Sequence, residues 1–212
     1  MRVEIYVDVL CPWCYIGRRR VAAALADMAE RDRLEIVWRS FELAPDASRT
    51  PGQSAAEALV EWWGEQAPAR AARIRAVGAA EGLDLDLHAA RPVNTFDAHR
   101  LSHLAARHGL ADQAMERLFR AYHTEGRNVA DHTVLEHLGV ETGLDADEVR
   151  EMLAGDAYAA EVRADERRAA ELGVTGVPTL VIDGAPRFSG VQPPAVLREL
   201  LERGLARETV SG

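Results

Sequence analysis

The two cysteines of this 212-residue chain, Cys11 and Cys14, are separated by Pro12 and Trp13. Two thiols at this spacing either exchange electrons with a disulfide or supply half of a metal site. A single pair is not a framework of structural disulfides, which normally contains several bonds. The Cys-Pro-Trp-Cys segment is therefore the first candidate for chemistry in the sequence.

The cysteine segment follows a predicted strand and begins a predicted helix. Apolar and polar residues alternate over positions 3–8, which indicates a strand, whereas apolar residues at positions 21–28 have helical spacing. Pro12 suits the first helical position, where no backbone donor is needed. We therefore expect Cys11 at or beside the N-cap of this helix, where free amide groups and the helix dipole favour an anion.

This position predicts different roles for the two thiols. The thiolate is the nucleophile in thiol–disulfide exchange, so Cys11 is the candidate nucleophile. Cys14 lies one turn into the helix and is expected to be less exposed. It is the candidate resolving thiol, which attacks the mixed disulfide formed at Cys11.

Strand patterns return only near the two ends of the chain. A second alternating stretch at 34–38 completes a β-α-β unit. After Gly173 the sequence predicts a strand at 179–182, a hairpin turn at Asp183 and Gly184, a returning strand at 187–190 and a last helix.

The sequence between these two units is almost entirely helical, with a capping box at Ser54 and Glu57 and N-caps at Asp131 and Asp145. We therefore predict an α/β, thioredoxin-like order, β-α-β followed by β-β-α, with a large all-helical insertion. The predicted α/β domain comprises residues 1–43 and 174–212, and the insertion comprises residues 44–173.

Four sequence blocks resemble the DsbA superfamily, and within it the FrnE-like branch of dithiol–disulfide oxidoreductases. The blocks are DVLCPWCYIG at 8–17, NTFDAHRL at 94–101, GVTGVPT at 173–179 and FSGVQP at 188–193. They extend over nearly the whole chain in the expected order. The resemblance implies a thioredoxin fold and a redox-active cysteine pair that works without a bound cofactor.

The resemblance also assigns roles to residues far from the cysteines in sequence. It implies that Pro178 follows a cis peptide bond and places the backbone of Val177 beside the disulfide, where a substrate peptide can pair. The residues alone leave open that Pro178 merely begins a strand. In DsbA the residue that corresponds to Trp13 is histidine. Because Trp13 brings no positive charge, we expect a milder oxidant.

A helical block contributes three further candidates. Asn94 or Thr95 is a plausible N-cap, but capping does not account for His99 and Arg100. We hypothesise that Asn94, His99 and Arg100 border the substrate cleft, because the equivalent region faces the active site in glutathione-dependent relatives of this fold.

A structural zinc site is the less favoured interpretation of the cysteines. It needs four ligands, and the sequence has no second Cys-x-x-C pair. His99 and His103 have the i, i+4 spacing of one helix face, yet such histidines are more often solvated or hydrogen-bonded. The other histidines are scattered, at positions 88, 108, 123, 132 and 137. We predict no metal.

The composition limits the classes of partner that we expect for this protein. The 25 basic and 34 acidic residues give a net charge of −9, which disfavours nucleic acid, and no apolar stretch is long enough to span a membrane. The first residues form a strand pattern and not a secretory signal. We therefore expect a cytoplasmic protein that neither binds nucleic acid nor spans a membrane.

The leading prediction is a disulfide oxidoreductase that acts on a protein or small-molecule disulfide and is recycled by an external reductase or a low-molecular-weight thiol. One alternative is a thiol-dependent isomerase or transferase for a small aromatic compound. Another is a zinc-binding or chaperone-like module with idle thiols. The resemblance allows for a homodimer, although the sequence shows no interface.

Overall fold

The computed structural model describes residues 1–184 and 187–211. In this part of the chain four strands form one mixed sheet in the order β2-β1-β3-β4, with β2 parallel to β1 and the next two pairs antiparallel. The strands are β1 (Arg2–Val7), β2 (Glu35–Ser40), β3 (Thr179–Ile182) and β4 (Arg187–Ser189). This sheet is the predicted thioredoxin-like arrangement.

The α-helices of the described residues divide into two that belong to the sheet units and seven between β2 and β3. The helices of the sheet units are α1 (Pro12–Ala26) and α9 (Pro194–Ser211). The helices between the strands are α2 (Ala55–Trp63), α3 (Ala67–Ala80), α4 (Phe96–Arg107), α5 (Ala111–His123), α6 (His132–Thr142), α7 (Ala146–Ala154) and α8 (Ala159–Glu171). The predicted helical insertion is confirmed, while its exact limits at 44 and 173 stay predictions.

Local signals in the sequence account for several element ends. The hydroxyl of Ser54 accepts the N–H of Glu57, whose carboxylate accepts the N–H of Ser54 in return. Asp131 and Asp145 accept backbone N–H groups at the starts of α6 and α7. These three caps are confirmed, because each satisfies amide groups that a helix start leaves without an intrahelical acceptor.

The turn between β3 and β4 begins as predicted. Asp183 and Gly184 have φ of 46° and 82°, the left-handed region that this kind of hairpin turn needs. The other two residues of the connection, 185 and 186, lie outside the described residues.

Apolar residues on the two faces of β1 hold the sheet between helices. Val3 and Ile5 belong to a large cluster that includes Ile16 of α1 and Leu197 of α9. Tyr6, on the alternate face, packs in a smaller cluster that includes Ala169 of α8. This packing fixes the end of β1, and therefore the start of α1, within the core.

Candidate active site

Cys11 is the N-cap residue of α1, directly after the turn that follows β1. Its backbone is extended, with φ −85° and ψ 110°, and Pro12 occupies the first turn of the helix. The Cys11 N–H donates to the carbonyl oxygen of Asp8 at 3.1 Å. No side chain caps this helix start, so its backbone amides remain to stabilise an anion at Cys11.

The two thiols lie close together and differ in burial. Cys11 and Cys14 approach to 3.4 Å, and both are free thiols. Cys11 is 6% exposed and Cys14 is fully buried. Burial, and next the hydrogen bond and charge of neighbouring Cys11, raise the pKa of the Cys14 thiol well above its usual range. The Cys14 thiol is therefore protonated near pH 7 and lies directly beside Cys11.

A loop from the far end of the chain closes one side of Cys11. The Val177–Pro178 bond is cis, as predicted, and the Cys11 sulfur lies 3.6 Å from the carbonyl oxygen of Val177. A Cβ on Gly17 of α1 would lie 2.9 Å from the carbonyl oxygen of Gly190 and 3.1 Å from the Pro178 ring. Glycine at position 17 thus lets α1 approach this loop closely.

A cavity of about 860 Å³ opens on another side of Cys11, between the start of α1 and the hairpin formed by α2 and α3. Cys11, Pro12 and Trp13 line one end of it. Trp62 and Trp63, at the end of α2, also line it and are 63% and 45% exposed. Large aromatic side chains left exposed beside the Cys11 thiol indicate a binding surface.

His123, the last residue of α5, lines the cavity although its side chain is almost fully buried. Both ring nitrogens are buried, and neither makes a hydrogen bond of standard geometry with a described residue. The ring stacks near Tyr15 and Phe119 and meets Tyr122 edge-on at 4.8 Å. Burial lowers the pKa of His123 to about 4 and outweighs the backbone groups of Val9 and Cys11 and the charge of Asp8, which act to raise it. His123 is therefore a neutral imidazole near pH 7.

A buried carboxylate lies beneath the cysteines. Asp8 has no exposed surface and accepts the backbone N–H groups of Leu10 and Leu43. The Nε2 atom of His99 lies 3.6 Å from Asp8 Oδ1. His99 thus lies behind the cysteines, next to the Asp8 carboxylate, and does not line the cavity.

Asn94 organises the segment before α4 and likewise does not line the cavity. Its side-chain amide donates to the carbonyl oxygen of Pro45 at 2.8 Å, and its side-chain oxygen accepts the N–H of Phe96. The same amide lies 3.4 Å from Glu42. Burial, followed by the neighbouring Glu166, raises the pKa of Glu42 to about 7, although His99 and Arg163 act to lower it.

Arg100 lies away from the cavity, so the expectation that it borders the cleft needs correction. Its guanidinium donates to the Asp97 carboxylate at 2.7 Å and to the carbonyl oxygens of Gly155 at 2.7 Å and Ala157 at 2.8 Å. A further bond reaches the carbonyl of Met152. Carbonyl groups at the end of α7 have no intrahelical donors, so Arg100 is used to close the connection between α7 and α8.

Three residue types that the sequence prediction missed complete the cavity. They are the Trp62–Trp63 pair, the arginines Arg70 and Arg73 of α3, and His123. The tryptophan doublet was a usable signal, because adjacent residues of a helix cannot both face one core. The other residues gave no comparable signal.

A comparison with protein families identifies the family of this fold. The family model described as "DSBA-like thioredoxin domain" matches residues 2–202. The chain belongs to this DSBA-like family. The FrnE-like branch fits within the family but stays a prediction.

Solved structures agree with this family. A probable DsbA oxidoreductase from Streptomyces coelicolor is 44% identical, with a TM-score of 0.90 over 97% of this chain and 90% of that chain. A 2-hydroxychromene-2-carboxylate isomerase is 18% identical, with a TM-score of 0.73 over 100% and 98% of the two chains. The cytosolic disulfide reductase DsbM from Pseudomonas aeruginosa is 22% identical, with a TM-score of 0.68 over 97% and 99%. The last two show likeness of fold alone.

Metal and membrane features are not found in the described part of this DSBA-like chain. No three histidine, cysteine or acidic residues are grouped there so that they could hold a metal ion. No helix in the same residues has the length and apolar content required to cross a bilayer. The cysteine pair and the cavity that Cys11 lines form the candidate site.

Proposed function

We propose that this protein is a dithiol–disulfide oxidoreductase in which Cys11 attacks the substrate and Cys14 resolves the mixed disulfide. The observation that carries the proposal is the asymmetry of the two thiols. Cys11 lies at a helix N-terminus and at the end of an open cavity, while Cys14 is buried 3.4 Å away. A nucleophile must reach the substrate, and a resolving thiol needs to reach only its neighbour.

The first step uses the Cys11 thiolate. Its sulfur forms a bond with one sulfur of the substrate disulfide, the substrate S–S bond breaks, and the other sulfur leaves as a thiolate that takes a proton from water. The backbone amides at the start of α1 stabilise the attacking anion. The product is a mixed disulfide between Cys11 and one half of the substrate.

The second step follows formation of the mixed disulfide. Burial is the main cause of the raised pKa of Cys14, and the hydrogen bond and charge of Cys11, which raise it further, disappear once Cys11 is in a mixed disulfide. Cys14 then loses its proton to water or to the Asp8 carboxylate and attacks Cys11, which releases the second substrate thiolate. Two electrons have passed from the cysteine pair to the substrate.

The cycle closes when an external reductant supplies two electrons. Two equivalents of a low-molecular-weight thiol, or one dithiol reductase, convert the Cys11–Cys14 disulfide back to two thiols and become oxidised themselves. We place this reaction in the cytoplasm, which maintains a thiol pool that can serve as the reductant. The DsbM neighbour is described as a cytosolic disulfide reductase, which supports that choice.

Single cysteine variants test the proposal. With dithiothreitol as reductant, we expect wild-type protein to accelerate insulin reduction, and Cys11→Ser to abolish the acceleration. Without dithiothreitol, pre-reduced Cys14→Ser protein should carry out the first step and accumulate a mixed disulfide at Cys11, visible as an added mass that later addition of dithiothreitol removes.

Two outcomes would contradict the proposal. Equal activity of Cys11→Ser and wild type would show that Cys11 does not carry out the reaction. Both alternatives, an isomerase that uses free thiol and a binding module with idle thiols, require that result. A stable mixed disulfide that forms at Cys14 in Cys11→Ser protein, as fast as one forms at Cys11 in Cys14→Ser protein, would contradict the separate roles of the two thiols.

A further inference from the structure

The cavity beside Cys11 has walls suited to an aromatic ring. Its volume of about 860 Å³ lies in the range of small-molecule sites. Trp13, Trp62, Trp63 and Tyr122 contribute to its lining. Flat aromatic walls stack well on another ring. The carbonyl of Val177, where a peptide strand would pair, is on the side of Cys11 that does not line this cavity.

Two arginines give one wall a positive charge in a chain whose net charge is −9. The guanidinium carbon of Arg70 lies 3.6 Å from the centre of the Trp63 ring, and that of Arg73 lies 5.7 Å from the Trp13 ring. Arg70 hydrogen-bonds to Gln66. Glu65 is the acidic residue among the described residues lining the cavity, so the lining has one more cation than anions.

Neither guanidinium has an ion-pair partner in the described part of the chain. This contrasts with Arg18, Arg39 and Arg100, each of which pairs with a carboxylate. Guanidinium groups match carboxylates through paired hydrogen bonds. An arginine pair held over tryptophan rings without an acidic partner is therefore suited to bind the carboxylate of a ligand.

His123 lies behind the cavity wall formed by these residues. Its side chain is 1% exposed and both of its ring nitrogens are buried. The backbone groups of Val9 and Cys11 lie beside the ring, so the imidazole has polar neighbours within the protein. A ligand in the cavity would therefore meet the tryptophans and arginines, and not the ring nitrogens of His123.

We propose that the cavity selects a small disulfide of which one half is an aromatic thiol bearing a carboxylate. Its ring lies among the tryptophans, and its carboxylate meets Arg70 and Arg73. The sulfur then faces Cys11. This inference rests on the proposed function, since it names the substrate class for the same thiol–disulfide exchange.

Paired chromogenic disulfides test the carboxylate preference. We measure the rate at which reduced protein releases thiolate from 5,5′-dithiobis(2-nitrobenzoate), which is aromatic and anionic, and from 4,4′-dithiodipyridine, which is aromatic and uncharged. The ratio of the two rates removes any common effect of a variant on Cys11. We expect the double variant Arg70→Gln, Arg73→Gln to lower this ratio about tenfold, the effect of a lost charged hydrogen bond.

Arg75→Gln is the matched control, because Arg75 is an exposed residue of the same helix and does not line the cavity. We expect the control to leave the ratio unchanged. A ratio unaffected by the double variant, or lowered equally by the control, would overturn the inference. A wild-type rate no faster than that of free glutathione with both probes would instead refute the proposed function.

A binding measurement tests the carboxylate preference without any reaction. In Cys11→Ser protein, we expect uncharged nitrobenzene to bind about tenfold more weakly than 4-nitrobenzoate. Binding of both probes with equal affinity would overturn the carboxylate assignment.

Discussion

The α4, α7 and α8 side of the insertion and the α2–α3 hairpin use arginine in opposite ways. Arg100 of α4 is 4% exposed and donates to Asp97 and to backbone carbonyls of the α7–α8 connection. Arg70 and Arg73 of α3 are exposed and lie over tryptophan rings with no ion-pair partner among the described residues. One region satisfies its charges internally, and the other presents them to the cavity.

The contrast shows how structural and binding residues can be distinguished in one fold. Although burial by itself would raise it, hydrogen bonds from His132, Arg100 and Arg49 lower the pKa of Asp97. A carboxylate with that many hydrogen-bond donors has no acceptor position left for a ligand. The exposed aromatic rings and unpaired guanidinium groups beside Cys11 have surfaces that a ligand can contact, so we expect ligand binding there.

The largest effect is expected from Arg100→Leu. The variant leaves several buried carbonyl oxygens and part of the Asp97 carboxylate without a donor, so the free energy of unfolding should fall by about 3–5 kcal/mol. Urea unfolding of the reduced protein at pH 7.5 measures the loss. The rate of reaction with 4,4′-dithiodipyridine per folded molecule should stay at the wild-type value.

Exposed Arg75 again provides the control, with an expected change of under about 0.5 kcal/mol for Arg75→Gln. If Arg100→Leu instead slowed the thiol reaction and left the free energy of unfolding nearly unchanged, Arg100 would belong to the substrate site. That result would restore the interpretation made from sequence and remove the contrast between the two regions.

Sequence patterns predicted the sheet, the helical insertion and the cysteine pair, because each depends on local rules. Strand alternation, capping residues and the strand-to-helix junction at Cys11 can be recognised within short segments. The cis bond at Pro178 was predicted through the family resemblance, since no local pattern distinguishes it from the first residue of a strand.

The cavity could not be predicted, because it forms between segments far apart in sequence. Arg73 meets Trp13 only when α3 packs over the start of α1. The position of Arg100 was predicted wrongly for the same reason, since its backbone acceptors Gly155 and Ala157 lie 55 and 57 residues further along the chain. Residue type alone does not show whether an arginine closes a loop or faces a ligand.

An intermediate effect is expected from the pH dependence of stability at His123, which lies where the insertion meets the cavity. The folded protein lowers the pKa of His123 from 6.5 to about 4. Between these values the unfolded chain binds a proton that the folded chain does not, so stability present above pH 6.5 is lost as pH falls toward 4. The shift corresponds to about 3 kcal/mol.

His123→Phe keeps an aromatic ring in the stack but cannot bind a proton. We expect the free energy of unfolding of this variant to fall less than that of wild type between pH 7 and 4.5, measured by urea titration at several pH values. The exposed His88 supplies the control variant His88→Gln, which should keep the wild-type slope. Parallel slopes for His123→Phe and wild type would show that His123 is not held neutral by burial.

The smallest effect is expected within the α2–α3 hairpin itself. Arg70 and Trp63 form a cation–π contact at 3.6 Å on a partly exposed surface. Such a contact contributes about 0.5–1 kcal/mol where water has access. A double-mutant cycle with Arg70→Ala and Trp63→Leu, followed by urea unfolding, should give a coupling energy in that range. A coupling above about 2 kcal/mol would mean that the hairpin is packed as firmly as the Arg100 region, and the aromatic wall would then be structural and not a surface free to bind a ligand.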